Sequence, residues 1–468
     1  MTMAILALAL LQQPTAPSAS ASDSARPDTG AGRPCHVTID TVGHFGRQVE
    51  VRPGETNLFA GGGVRAHCQG TTTTLTADSI AWYAGVGRLD MLGGVKIRDT
   101  TVWLDSQTAN YYLRQERLEA HKNVVATNRA TGTVLRGPNM TYYRVAKGIR
   151  DTAEMYASSR PTIDYRSSPD SGEPAVIVAD RVRQKGNDRI WCGGNVTVDR
   201  SDLAAQSDSM HLDEAAGSAE LVGEPAIAGK GPRAFHLVGR LITLGLKNHD
   251  VRVVRALGDG VATSADWRLT ADTIHLLLEK HELQRIFAWG DSIRPHAVSS
   301  LHTIDADSLA LDTPDQVLTE VRAFRRALSI SNRDTTAGAE RNWISGDTIV
   351  AHWINRGDSA GRPRVALNHI VARGSARAFT HMHSEKDSTR APSLNYSRGT
   401  VIDIVLHGDK IDRVLVTGHA DGVQLEPPEP VDSTKAHRDS TKAHADSAKA
   451  RAPRDTTKAH HVATAPAP

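Results

Sequence analysis

The side chains that could do chemistry are scattered along the chain rather than gathered. His381-Met382-His383 places two imidazoles on one face of an extended segment, as a metal pair would, but no third ligand stands nearby and the charged stretch SEKDSTR lies directly beside it. Aspartates recur at similar places in repeated segments, among them Asp78, Asp105, Asp180, Asp272 and Asp347. Such a row could bind Ca²⁺ as nonapeptide β-rolls do, yet the nine-residue glycine–aspartate period those need is absent. The aspartate is therefore read as a strand-bend residue whose carboxylate accepts backbone N–H groups at a bulge or corner. No G-x-S-x-G elbow, HExxH or dinucleotide fingerprint occurs, and Gly61-Gly62-Gly63-Val64 is not followed by GK[ST]. The chain is read as no enzyme, with no cofactor and no metal. Cys35, Cys68 and Cys192 show neither CxxC pairing nor zinc spacing. In an exported chain they would make one disulfide and one spare thiol; Cys35 and Cys68 are nearest in sequence, and the pairing stays open.

Composition narrows the classes. Lys+Arg number 55 against 53 Asp+Glu, a net charge of +2, which lacks the basic excess of a nucleic-acid binder. With 39% hydrophobic and 23% charged residues, a packed core is within reach. No run of 18 apolar residues exists to make a transmembrane helix, and 4% aromatics is little for the girdles of an outer-membrane barrel.

Two elements recur and would position everything else. One runs apolar, then Asp, then apolar again: LTADSIAWY (Leu75–Tyr83), VWLDSQTANYY (Val102–Tyr112), VIVADRV (Val176–Val182), LAAQSDSMHL (Leu203–Leu212), LTADTIHLLL (Leu269–Leu278), IDADSLAL (Ile304–Leu311) and WISGDTIVAHW (Trp343–Trp353). The other carries a glycine before a valine or alanine: LDMLGGVKI (Leu89–Ile97), IWCGGNVTV (Ile190–Val198), AELVGEPAI (Ala219–Ile227), VRALGDGVA (Val254–Ala262) and HIVARGSARA (His369–Ala378). Each alternates with period two, the strand signature, and turn-formers such as AGVGR and EKHE separate them. No helical pattern intervenes, so βαβ units are excluded. Tryptophans at 82, 103, 191, 267, 289, 343 and 353 are spread through the repeats and read as packing residues. Arg88, Lys96 and Arg98 flank one repeat and are read as solvated, with phosphate contact at a rim as the sharper alternative. Arg47–Val64 is read as the first free strand edge, open to strand addition.

The ends read differently. Ala4–Leu11 is a short apolar core followed by Ala19-Ser20-Ala21, resembling a secretory signal peptide over 1–21, with a linker over 22–35. Residues 427–468 repeat DSTKAHR-like heptads without an apolar seam and read as a disordered tail.

The ordered succession LTADSIAWY…LDMLGGVKI…VWLDSQTANYY…LEAHKNVVA resembles the OstA-like family, the LptA-type periplasmic lipopolysaccharide-transport proteins. The match is best over 56–145 and looser to about 425. The resemblance implies an all-β, extended β-jellyroll of stacked V-shaped strand pairs, solenoid-like, here as tandem modules over 36–225 and 226–426 with a seam near Gly223–Pro232. It also implies a periplasmic protein of outer-membrane biogenesis that holds acyl chains between two walls and stacks edge to edge. Lipopolysaccharide or a related lipid, other transport components and further copies would be its partners, with no nucleic acid. The residues expected to face such a groove are Leu75, Ile80, Trp82, Leu89, Met91, Val95 and Ile97. Periodicity alone favours a dry core, and with it a structural or adhesive surface solenoid; the resemblance is what turns the reading towards a lipid-accepting interior.

Overall fold

The computed structural model describes residues 35–170, 172–230, 234–265, 267–314, 317–332, 340–357, 363–382, 391–407 and 410–427. The expected signal peptide, most of the linker, His383 and the tail beyond Pro427 lie outside these. The described residues form thirty strands joined in one antiparallel ladder, with one 3-10 turn at Leu113–Gln115 and no α-helix. The fold is all-β, an extended jellyroll in which the long strands bend near the middle and are stacked on one another.

The two sequence elements are the two ways of making that bend. In the strand Arg88–Arg98, Gly93 and Gly94 both have positive φ and together oppose the single residue Gln107, as the register passes from Leu92↔Thr108 to Val95↔Ser106. The same two-against-one bulge recurs at Gly194-Asn195 opposite Asp208, Gly258-Asp259 opposite Asp272, Arg325-Arg326 opposite Asp347 and Gly374-Ser375 opposite Thr400. Every such doublet is left-handed, which is why glycine leads all of these but Arg325-Arg326. The strands between carry the aspartate. In Thr74–Tyr83, Leu75 and Ala77 point inward, Asp78 stands at the corner, and the inward parity then shifts to Ile80. Trp267–Glu279 repeats this with Leu269, Ala271, Asp272 and Ile274. The motif apolar-x-Ala-Asp-x-apolar is thus a strand that changes parity while turning a corner, with a small residue where the walls converge.

Aspartate and glycine belong together. A Cβ at Gly93, Gly194, Gly223 or Gly374 would run into the side chain of Asp78, Asp180, Asp208 or Asp347 on a neighbouring strand. Asp272 accepts the backbone N–H groups of Ser292 (2.8 Å) and Ile293 (3.0 Å), and Asp180 accepts from Asn195 Nδ2 (2.9 Å). The bend reading of the recurring aspartate holds.

The inward side chains of both arms form a continuous apolar cluster from Cys35 to Ile404. The turns at the far ends of the arms make two lips, which face each other across the mouth of the V. Pairing crosses the expected seam without a break: Ser218–Val222 pairs with Leu241–Lys247, and Ala226–Gly229 with His236–Val238. The first edge matches the expected Arg47–Val64 only over Arg47–Arg52. Val37–Val42 and Phe45–Arg52 form it, whereas Glu55–Cys68 is paired on both sides, because the chain crosses one arm and then the other before its first hairpin. Cys35 and Cys68 form a disulfide with Cα atoms 4.9 Å apart, and Cys192 is a buried free thiol.

Candidate functional site

Midway along the stack the two walls enclose a cavity of about 520 Å³. Ile177, Val198, Leu203 and Ala205 line it from one arm; Met210, Leu212, Ala219, Leu221, Leu244, Leu246 and Val251 line it from the other. At the mouth the lining turns polar, with Tyr165, Arg200, Glu214, His249, Asp250 and His281. The volume falls in the range of small-molecule sites, and the arrangement of apolar walls under a polar rim suits an amphiphile.

The lips above this cavity are joined by side-chain bridges. Tyr165 on one lip donates its hydroxyl to Glu214 Oε1 on the other (2.8 Å), and the remaining oxygen of Glu214 meets His249 Nδ1 (2.9 Å). Burial first, then the hydrogen bond to Glu214 and that carboxylate's charge, push the Tyr165 phenol up and keep it protonated. His281 Nδ1 lies 2.8 Å from Asp202 Oδ2 on the opposite lip, and Arg200 holds the other oxygen of Asp202 at 2.9 Å. Both histidines sit in two-residue hairpin turns, Asn248-His249 and Lys280-His281, with positive φ at both positions. Their side chains are 54% and 45% exposed, so these bridges are in contact with water.

The N-terminal lips are closed in another way. Glu116, fully buried at the end of the 3-10 turn, accepts the backbone N–H of Cys35 (2.9 Å), the Tyr111 hydroxyl and Arg144 Nη1 (3.2 Å). Arg144 also reaches Asp99 across the mouth (3.2 Å), and Thr73 donates to Asp99 (2.9 Å). Burial pushes the Asp99 carboxyl up, but Arg144 and the hydrogen bonds from Thr73, Thr101 and Thr100 outweigh it and leave the group below the usual carboxylate range. Beside this cluster a space of about 360 Å³ opens at the mouth, lined by Asp99, Asn128, Arg144, Asp151, Glu154 and Gln184, among others, and bridged by Asn128 Nδ2 to Asn187 (2.8 Å).

The seven residues expected from the sequence all point into the apolar interior of this N-terminal section. They meet across neighbouring strands as Leu75↔Ile97, Ile80↔Met91 and Trp82↔Leu89, with Val95 fully buried and Trp82 half-buried. Leu75 and Ile97 line a cavity of about 30 Å³ under the disulfide; none of the seven is among the residues lining the 520 Å³ cavity. The residues around that larger cavity lie in repeats whose alternation looks like every other, so nothing in their pattern marks them. The one sequence signal at the rim is histidine at the tip of tight hairpins. Of the other chemistry-bearing residues, His381 Nδ1 is bound to Asn342 (2.7 Å), which immediately precedes the strand Trp343–Gly357. Burial pushes the Cys192 thiol up to about 12, which keeps it inert. Among the described residues no group of three or more His, Cys, Asp or Glu is arranged to hold a metal, and no helix is long and apolar enough to cross a membrane.

No family model and no curated protein matches the chain. Among solved structures it is similar to LptH of Pseudomonas aeruginosa, described as the LptA-homologous periplasmic component of the conserved lipopolysaccharide transport device, at 17% identity and a TM-score of 0.22 over 35% of this chain and 92% of that one.

Proposed function

We propose that this chain is a non-catalytic periplasmic lipid-binding protein of lipopolysaccharide transport and outer-membrane assembly, which shields acyl chains between its walls. The 520 Å³ apolar cavity under a polar rim carries the reading. Burial is worth about 0.8 kcal/mol per CH₂, so roughly 10 kcal/mol favours enclosing a twelve-carbon chain over leaving it in water. Access runs laterally between the lips, where the exposed bridge of His281 to Asp202 holds by no more than about 1 kcal/mol. The Cys35–Cys68 disulfide fits an oxidising compartment such as the periplasm.

Two further parts belong to the proposal. Leu75, Ile80, Trp82, Leu89, Met91, Val95 and Ile97 form the N-terminal continuation of the acyl-facing surface. The cavity is shared by the two modules, Ala219 and Leu221 standing before residue 226 and Leu244, Leu246 and Val251 after it. Partners and further copies add at the strand edges, where Phe45 (59%), Val51 (49%), Val423 (58%) and Leu425 (59%) are exposed on end strands.

The test is photocrosslinking in the native cell, with a photoreactive residue replacing Leu212 in the cavity, Ile80 in the N-terminal section, or Asp259 at an exposed corner. Lipid adducts at Leu212 and none at Asp259 are expected; adducts at Ile80 as well extend the acyl face through the N-terminal repeats. If the folded, exported Leu212 variant gives no lipid adduct, the interior is a dry core and the structural-spacer reading replaces this one.

A further inference from the structure

A second binding site lies on the opposite, solvent-facing side of one wall. Two cross-strand rows of outward side chains run side by side there. One row is large: Thr141, Tyr156, Arg183, Trp191 and His211 are successive register partners. The row beside it is small apart from Arg181: Asn139, Ser158, Arg181, Gly193 and Ser209. The step between them is a groove of about 480 Å³, which His121 also lines.

Its charge is one-sided. No aspartate or glutamate lines the groove, while Arg181 and Arg183 both do. The nearby carboxylates are occupied. Glu154 is held by Arg183 (3.2 Å) and Tyr156 (2.7 Å), and Asp180 by Arg160 (3.1 Å) and Asn195 (2.9 Å). Glu220, next in the large row beyond His211, does not line the groove. Arg183 is fixed in place, its guanidinium 5.6 Å from the Tyr156 ring centre and 5.1 Å from that of Trp191. Arg181 lies across Gly193, where a Cβ would come within 3.0 Å of its Nε, and no carboxylate of the described residues pairs with it. Two guanidinium groups from alternate positions of one strand thus stand on one face, about 7 Å apart at their Cα atoms. One is preorganised and one is free.

The neutral groups name the rest of the ligand. Asn139, Thr141, Ser158 and Ser209 offer hydroxyl and amide partners around the two arginines. The flat rings are not free platforms: Trp191 is stacked on His211 at 4.9 Å and 6°, and Arg183 covers its approach to Tyr156. A nucleobase therefore finds no open face here. All strands beneath the groove are paired on both sides, so an added peptide strand finds no edge. We propose that this groove binds an acidic saccharide, a sugar bearing a phosphate or carboxylate, with Arg181 and Arg183 on the anionic group and the small polar row on the hydroxyls. The site is independent of the acyl cavity, which lies on the other face of the wall.

The experiment is calorimetric titration of the full chain with glucose 1-phosphate, glucose and inorganic phosphate at low ionic strength, where charge contacts are least screened. Glucose 1-phosphate is expected to saturate below ~10 mM and to bind about tenfold or more tightly than either fragment. Arg181→Ala, at an exposed position, is expected to weaken it about tenfold, and Ser209→Trp, which fills the groove, to abolish it. Ala219→Leu, inside the wall, should leave it unchanged. Absence of saturation, equal affinity for inorganic phosphate, or indifference to both Arg181→Ala and Ser209→Trp each overturns the proposal. Lipid adducts at Leu212 are unaffected by any of these outcomes.

Discussion

The N-terminal and middle sections of the stack share the same strand plan and differ in how their lips are closed. In the N-terminal section Arg144, held by the buried Glu116, reaches Asp99 across the mouth, and the Cys35–Cys68 disulfide ties neighbouring strands of one arm above a space of about 30 Å³. In the middle section the lips are held by the Tyr165–Glu214 hydrogen bond and the exposed His281–Asp202 contact, and the space beneath is about 520 Å³. The side chains under both are aliphatic and alternate alike. The two sections differ in the closure of the mouth, which rests on residues at the turns and strand ends and not on the repeated pattern of the strands.

The largest effect should come from breaking the N-terminal closure. Arg144→Ala leaves Glu116 and Asp99 buried without their cation, a change that typically costs about 3–5 kcal/mol. Denaturant unfolding should show a loss of that order, and hydrogen exchange should rise first near Cys35 and in Leu113–Arg117.

Filling the two interiors separates them next. Ala109 is fully buried in the N-terminal section, so Ala109→Leu should overpack it at a cost of about 1–3 kcal/mol. Ala219 lines the cavity, so Ala219→Leu should cost nothing measurable in unfolding while reducing lipid adducts at Leu212. Equal costs at both positions would erase the distinction drawn here.

Acid should act on the N-terminal section. Asp99 has a folded pKa depressed below its ordinary 3.8, so its contribution is present above that value and is lost as pH falls through the folded pKa. Tyr111 and Arg144 are both shifted upward and stay protonated across neutral and acidic pH. Hydrogen exchange measured from pH 6 down to pH 3 should show protection around Asp99 fall at the acid end.

The smallest effect belongs to the middle lips. His281→Ala removes an exposed contact to Asp202 and should change stability by about 0–1 kcal/mol. Its signature is kinetic: loading of an acyl probe should quicken if the lips are the route of access.

The repeated motifs made the strands legible, and the pairing of Asp with Gly explains why. Only a corner needs a left-handed doublet on one strand and a parity change on its neighbour, so LTADSIAWY and LDMLGGVKI carry the bend in their letters. The choice of Leu75 to Ile97 as inward residues was also legible, since alternation sets the face. The cavity was not. Leu212 and Leu276 sit in strands of the same pattern, yet one lines the open space and the other is fully buried, because the separation of the walls is set by residues far apart in sequence. The outer groove is not written in any local pattern for the same reason, its two rows being assembled one residue per strand.

By itself, then, the sequence determined the all-β class, the bend at each repeat and the face each strand turns inward, because these depend on neighbours within a few residues. Tertiary structure alone decided which cysteines pair, which lips are locked and where the walls part. Those depend on contacts such as Cys35 N–H to Glu116 and Tyr165 to Glu214, made across 81 and 49 residues of chain. No local pattern records which distant turns the stacking will bring face to face.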